Sequence, residues 1–276
     1  MAEKIWFITG ASRGFGHIWT EAALARGDKV AATARDTATL DDLCERFGGN
    51  ILPLALDVTD HDAVVSTVNE AHRRFGRLDV VLTNAGYGLT GAFEETTLEE
   101  ARANFDTNVF GTFSTIKGAL PLLRAQHGGH ILAVSSVGGL MTFPLYSVYQ
   151  ATKFAIEGMV QTLAPEVAGF GIKVTLIEPG PFKTDFLAPT SLKNATPNPA
   201  YAPVRDQLAK MFTSDMLGDP KATVDAILKL ADTDEPPLHL ILGPLLPLVK
   251  QTYAARIQAW EQWEQISRAG QCTRPV

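Results

Sequence analysis

The residues with the plainest capacity for chemistry lie in one stretch, SSVGGLMTFPLYSVYQATK, from Ser135 to Lys153. Tyr149 and Lys153 are four apart, so on a helix they share a face with Cβ atoms about 5–6 Å apart. Ser136 lies thirteen residues before Tyr149, and the fold has to bring it in. A phenol titrates near 10, and making it a useful acid or base near neutrality takes roughly 3 pH units, about 4 kcal/mol. A cation about 4 Å away, at an effective dielectric near 20, supplies about that much. Lysine is therefore the right neighbour, and the serine hydroxyl could hold a substrate oxygen. Tyr146 is a decoy for the same role, because Gln150 and not lysine stands four residues beyond it; it is expected to line the substrate pocket.

These side chains need a scaffold, and the N-terminus supplies its first part. Ile5-Trp6-Phe7-Ile8 is an apolar run that passes directly into Thr9-Gly10-Ala11-Ser12-Arg13-Gly14-Phe15-Gly16, the pattern of a buried parallel strand opening onto a helix. Gly10 permits the tight turn, while Gly14 and Gly16 let backbone amides and the helix N-terminus approach a pyrophosphate. Further strands are expected at 30–34, 51–56, 79–83, 130–134, 173–178 and 238–242, alternating with helices. The helices include one from 17 to 26, one that Thr59 caps and that runs to Phe75, and a long one begun by the capping box Thr97-Leu98-Glu99-Glu100. The fifth strand delivers Ser135 and Ser136 at its C-terminal end, where open parallel sheets place ligands. Pro165 suggests a bend or early stop in the helix that carries Tyr149.

Together the glycine stretch and Ser136, Tyr149 and Lys153 resemble the classical short-chain dehydrogenase/reductase family, over roughly residues 4–243. The resemblance implies one Rossmann-like, doubly wound α/β domain, a seven-stranded and mainly parallel sheet with helices on both faces. It implies an oxidoreductase that moves hydride between a nicotinamide cofactor and a ketone or secondary alcohol, with Tyr149 as general acid/base, Ser136 on the substrate oxygen, Lys153 below the phenol and on the nicotinamide ribose, and Asn108 leading to water. Cofactor contacts are implied for Gly10, Ser12, Arg13, Gly14, Phe15 and Gly16, for Asp57 and Val58 at the adenine, for Asn84, Ala85 and Gly86, and for Tyr149, Lys153, Pro179, Gly180 and Thr184 at the nicotinamide end. The family's discriminating acid falls on Ala34, and the basic residues of its NADP-preferring members match Arg13 and Arg35. A guanidinium can grip phosphate with two hydrogen bonds, so NADP(H) is favoured over NAD(H). Other readings stay open: Arg35 as a solvated surface charge, Asp36 as a ribose ligand or a helix cap, Asp57 as an acid that starts a turn, Asn108 as a capped or interface asparagine, and Thr184 as a cap.

With 276 residues and 46% hydrophobic content, residues 1–276 are read as a single domain, with 185–219 as a substrate flap and 244–270 as a C-terminal helical extension. Phe186, Leu187, Tyr201, Met211 and Phe212 are candidate walls of the flap, and Leu89, Phe93, Phe143 and Leu145 suggest an apolar pocket for the small carbonyl or alcohol substrate. The extension carries an apolar stripe, Leu246, Val249, Tyr253, Ile257, Trp260 and Trp263, expected to dock on its own domain or on a partner subunit. A net charge of -6 without a basic run argues against nucleic acid. The early first strand, the proline-broken stretch 238–249 and only two cysteines, Cys44 and Cys272, point to no signal peptide, no membrane span and the reducing cytoplasm. No histidine pair has metal-ligand spacing with an acidic partner, so no metal is expected. The resemblance further implies a homodimer or homotetramer. The runner-up activity is an NAD-dependent alcohol or steroid/retinoid-type dehydrogenase. A non-catalytic cofactor-sensing protein is the alternative from another class.

Overall fold

The computed structural model describes residues 3–188, 191–211 and 216–270. Its centre is a seven-stranded sheet built from β1 (Ile5–Ile8), β2 (Lys29–Ala34), β3 (Ile51–Ala55), β4 (Val80–Thr83), β6 (Gly129–Val134), β7 (Ile172–Pro179) and β9 (His239–Leu242). The spatial order is β3-β2-β1-β4-β6-β7-β9, and every neighbouring pair is parallel. The strands read as unbroken apolar runs because both faces are covered. Alternation still shows in where they point: Trp6 and Ile8 of β1 enter one core and Ile5 and Phe7 the other.

The core that takes Ile5 and Phe7 is covered by α3 (His61–Phe75), α5 (Gly111–Ala125) and α6 (Ser147–Val167), through Val64 and Val68, Ile116 and Leu123, and Ile156 and Val160. The other is covered by α1 (Gly14–Arg26), α2 (Asp41–Phe47) and α8 (Val224–Asp232), through Trp19, Leu43, and Ile227 with Leu230. The expected doubly wound α/β architecture is therefore present. The chain order reverses between β1 and β4, and this switch point opens the crevice in which such folds hold ligands.

Several boundaries differ from expectation for local reasons. Asp60, not Thr59, caps α3, accepting from the Ala63 amide at 2.9 Å; Thr59 instead donates to Asp57. Pro165 lies in the last turn of α6, which runs on to Val167, so the helix does not stop at the proline. The capping box forms in full at α4 (Leu98–Phe105), but the long helix then widens into a π turn at Asp106–Phe110 before α5. The flap folds more than expected: β8 (Leu192–Asn194) pairs in parallel with β5 (Gly88–Thr90) in a separate two-stranded sheet, and α7 (Ala202–Met211) follows. The extension is α9 (Leu246–Ala269), of which only the root docks: Val249 is buried against Leu140 and Met141, while Trp260 is 65% exposed. Phe212, Cys272 and the Leu187 side chain lie outside the described residues.

Candidate active site

At the C-terminal end of β1 the chain turns through the glycines with no room for side chains. A Cβ on Gly10 would lie 2.9 Å from the Ala85 Cα, and one on Gly16 would lie 2.2 Å from the Gly10 carbonyl oxygen. The residue before α1, Arg13, makes no side-chain cap, so the helix N-terminus faces outward as a place for an anion. The Gly14 amide donates to the Asp185 carboxylate of the flap at 3.2 Å. Asn84 locks the turn to β4: its Nδ2 donates to the Thr9 and Gly10 carbonyls, both at 3.0 Å, and the Thr9 hydroxyl accepts from the Asn84 and Ala85 amides. This cradle fits the pyrophosphate of a dinucleotide.

The cradle opens into a cavity of about 1210 Å³. Of the residues named from the sequence as catalytic or cofactor-binding, all but Gly16 and Asn108 line it. Gly16 is packed beneath the turn. Asn108, in the π turn, bridges elements from behind: its Oδ1 accepts from the Tyr87 amide, and its Nδ2 donates to the Tyr87 carbonyl and the Thr152 hydroxyl, each at 3.0 Å. Thr152 in turn donates to the Tyr149 carbonyl at 2.6 Å, so Asn108 is tied to α6 between Tyr149 and Lys153. An asparagine within a helix needs such partners.

Along the far wall, β6 delivers Ser136 and α6 delivers Tyr149 and Lys153. The Ser136 hydroxyl accepts from the Gly138 amide at 3.0 Å and hydrogen-bonds the Tyr149 phenol. Lys153 Nζ lies 5.7 Å from the centre of the Tyr149 ring and donates to the Val134 carbonyl at 2.9 Å. Burial decides both titrations: it pushes the phenol up to about 12 against the opposing Ser136 hydrogen bond, and the ammonium down to about 8. In the free protein, desolvation outweighs the Ser136 hydrogen bond at the phenol, and the ammonium is aimed at a backbone carbonyl.

Three polar residues take up the local roles left open for them. Asp36 caps the turn that follows β2, accepting from the Ala38 amide at 3.0 Å, and does not line the cavity, whereas Arg35 does. Asp57 accepts from the Thr59 amide and hydroxyl, which hold its carboxyl below the usual range, and the Thr184 hydroxyl accepts from the Phe186 amide at 3.3 Å. The apolar wall is formed by Phe143, Leu145, Tyr146, Phe186, Leu192 and Leu208. Of the sequence candidates for the pocket, Leu89 is core and Phe93 is 82% exposed, so neither lines this cavity. Leu145 sits at φ 68, a conformation uncommon for leucine, and its carbonyl accepts from the Gly91 amide at 2.8 Å. Phe186 lies 5.6 Å from the Tyr149 ring. Leu192, Arg205 and Leu208 carried no motif, since only the folding of the flap brings them to the cavity.

A glycine cradle on β1 and a serine, tyrosine and lysine at its end of the sheet define a dinucleotide-dependent oxidoreductase site. Residues 4–195 match the family model described as short chain dehydrogenase. The chain is 42% identical to oxidoreductase BOA17 of Botryotinia fuckeliana over 245 residues, 87% of this chain and 89% of that protein. The crystal structure of a short-chain dehydrogenase from Streptomyces avermitilis superposes with a TM-score of 0.90 at 38% identity, covering 98% of this chain and 100% of that one. The structure of ElxO with NADP bound superposes at 0.72 and 27% identity, covering 87% and 96%. The chain belongs to the short-chain dehydrogenase family. It is an NAD(P)-dependent oxidoreductase acting on CH–OH and C=O groups.

Among the described residues no helix is long and apolar enough to cross a membrane. Glu157, Glu178 and His239 bring potential ligand atoms within 4.8 Å of one another, a grouping that spacing along helices does not reveal.

Proposed function

We propose that the chain catalyses reversible hydride transfer between NADP(H) and an apolar ketone or secondary alcohol, with Tyr149 as general acid/base. The observation that carries this reading is the meeting of Ser136, Tyr149 and Lys153 on one wall of the cavity, opposite the glycine cradle. In reduction, the Tyr149 hydroxyl gives its proton to the carbonyl oxygen, and the Ser136 hydroxyl hydrogen-bonds the same oxygen. Nicotinamide, when bound, supplies or accepts the hydride. A phenol held at about 12 is protonated at neutral pH, so the resting residue is ready to act as an acid. Lys153 supplies positive charge beneath it and holds the nicotinamide ribose, and Asn108 leads from α6 to water.

Gly10, Ser12, Arg13, Gly14 and Phe15 would surround the pyrophosphate, with Gly16 beneath the turn letting the backbone come close, Asp57 and Val58 would take the adenine, and Asn84, Ala85 and Gly86 the floor of the site. Pro179, Gly180 and Thr184 would take the nicotinamide. NADP(H) is preferred to NAD(H) on three grounds: no acid stands at Ala34, Asp36 is spent as a cap, and Arg13 and Arg35 both line the cavity. ElxO, similar in fold, holds NADP. The reading treats 1–276 as one cytoplasmic catalytic domain with 185–219 as its flap, assembled as a homodimer or homotetramer. Phe110, which ends the π turn, and Phe113, in the first turn of α5, are 47% and 46% exposed and suit such an interface.

The test is absorbance of the reduced nicotinamide with NADPH or NADH and a panel of aliphatic, aromatic and steroidal ketones. Turnover with NADPH at least tenfold above NADH is the expected result. Preference for NADH would favour the alcohol or steroid/retinoid-type dehydrogenase. Tight cofactor binding without turnover of any ketone would favour the sensing protein.

A further inference from the structure

Helix α6 does not stop at Lys153. At the same four-residue step it places Glu157 and Gln161, so Tyr149, Lys153, Glu157 and Gln161 run along one face. Glu157 is 4% exposed and Glu178, from β7, is wholly buried. Gln161 Nε2 donates to Glu157 Oε2 at 3.2 Å. His239 of β9 closes the group: its Nδ1 is 2.6 Å from Glu178 Oε1 and 3.8 Å from Glu157 Oε2, and its side chain is 41% exposed to solvent. One oxygen of each carboxyl, Glu157 Oε1 and Glu178 Oε2, is buried without a hydrogen bond. The Ser135 hydroxyl, next to Ser136, lies beside Glu157.

Two carboxyls are costly to bury side by side, and so is the lysine one turn away. The groups facing this interior are Lys153 of α6, Ser135 of the loop after β6, Glu178 of β7 and His239 of β9. We propose that Glu157 is a positioning residue for the reaction: one helical turn from Lys153 on the same buried face, with one carboxyl oxygen left without a hydrogen bond, it sets the electrostatic surroundings of the ammonium, and the Glu178–His239 pair connects it to solvent. Its place in catalysis rests on the reading of Lys153 given above, but the charge relation does not. Burial pushes Lys153 down to about 8 and Glu157 opposes that push. Burial likewise raises both carboxyls, Glu178 to about 7, with His239 working against it in each.

The test is an NMR titration of the free protein carrying 13Cε-labelled lysine, with the Lys153 signal assigned by Lys153→Arg. Glu157→Gln, close to isosteric, is expected to lower the Lys153 pKa by about one pH unit, and Glu157→Asp to leave it near the wild-type value. His239→Arg sets a fixed cation at a half-exposed position, competes for the same carboxylates, and lowers Lys153 by less. Lys153 titrating as in wild type in Glu157→Gln overturns the proposal; should that variant not fold, an unmoved Lys153 in His239→Arg does so. No substrate or cofactor is involved, so the titration stands whether or not the chain reduces ketones. Where turnover is measured, the alkaline limb of kcat/KM for ketone reduction moves to lower pH together with Lys153. A limb that stays in place while Lys153 shifts refutes the positioning role.

Discussion

The cradle at Gly16 gives the sharpest mutational test of the site's construction. A Cβ at this position would lie 2.2 Å from the Gly10 oxygen, 2.5 Å from Asn84 Nδ2 and 3.0 Å from the Gly10 carbonyl carbon. A methyl carbon needs roughly 3.5 Å, so backbone and asparagine must both move by about 1 Å. Moving Asn84 breaks its two 3.0 Å bonds to Thr9 and Gly10, about 1 kcal/mol each, and overpacking adds about 1–3 kcal/mol. Alanine recovers about 1 kcal/mol as the better helix former, leaving a net loss of about 2–4 kcal/mol. For a chain of this size that lowers Tm by roughly 10 °C. Gly14→Ala is the control: its Cβ meets nothing nearer than the Thr184 Cβ at 3.8 Å, and its φ of 56 costs about 1–2 kcal/mol. Thermal unfolding by circular dichroism and NADPH binding by fluorescence quantify both. Gly16→Ala should be the less stable variant and should bind NADPH at least tenfold more weakly than Gly14→Ala does. Equal Tm and equal affinity in the two variants would refute the packing argument.

Three further outcomes follow from the same structure. Arg35→Ala should weaken NADPH binding roughly 10- to 100-fold, as expected for lost charge-assisted hydrogen bonds, with NADH little changed; equal losses for both, by calorimetry, would remove Arg35 from the phosphate. His130 is held by burial at about 3 against an ordinary 6.5, so below 6.5 the unfolded chain takes up a proton that the folded one refuses. Its stability contribution is complete above 6.5 and is lost as pH falls toward 3. Urea unfolding should therefore show wild type losing about 2 kcal/mol more than His130→Gln between pH 7 and 5, and parallel behaviour would contradict it. Glu95 anchors the flap, accepting from the Ala92 amide at 2.6 Å and the Asn198 amide at 2.5 Å and pairing with Arg205. Glu95→Ala should speed limited proteolysis within 191–211 several-fold and raise KM, and unchanged cleavage would mean that the latch is held elsewhere.

What the sequence makes legible depends on how local the cause is. Ile5 to Ile8 running into Gly10, Gly14 and Gly16 is a strand, turn and helix written in consecutive residues. The Thr97–Glu100 box is equally local, and both are found where expected. The seven strands are legible because each is an apolar run between turn residues. The pairing of β5 with β8 is not, since three residues on each side carry no periodicity and meet only across about a hundred positions. The π turn at Asp106–Phe110 leaves no pattern beyond an asparagine in a helix. Asp36, Asp57 and Thr184 each had two readings, and the free protein displays the cap or turn in every case because the partner amide is two residues away. Glu157, Glu178 and His239 come from three elements, so their meeting is visible only in three dimensions. The stripe on α9 is a helix face, as its spacing says, yet spacing does not tell what covers it. Tyr253, Ile257, Trp260 and Trp263 remain 40–65% exposed.

The central claim is that Tyr149 transfers the substrate proton. Its most direct test is Tyr149→Phe, assayed with NADPH against a ketone that the wild type reduces, with cofactor affinity measured in parallel. The account predicts a fall in kcat of roughly 10²- to 10⁴-fold with NADPH affinity retained within a few-fold. A Tyr149→Phe enzyme that keeps its kcat within threefold of wild type would contradict it.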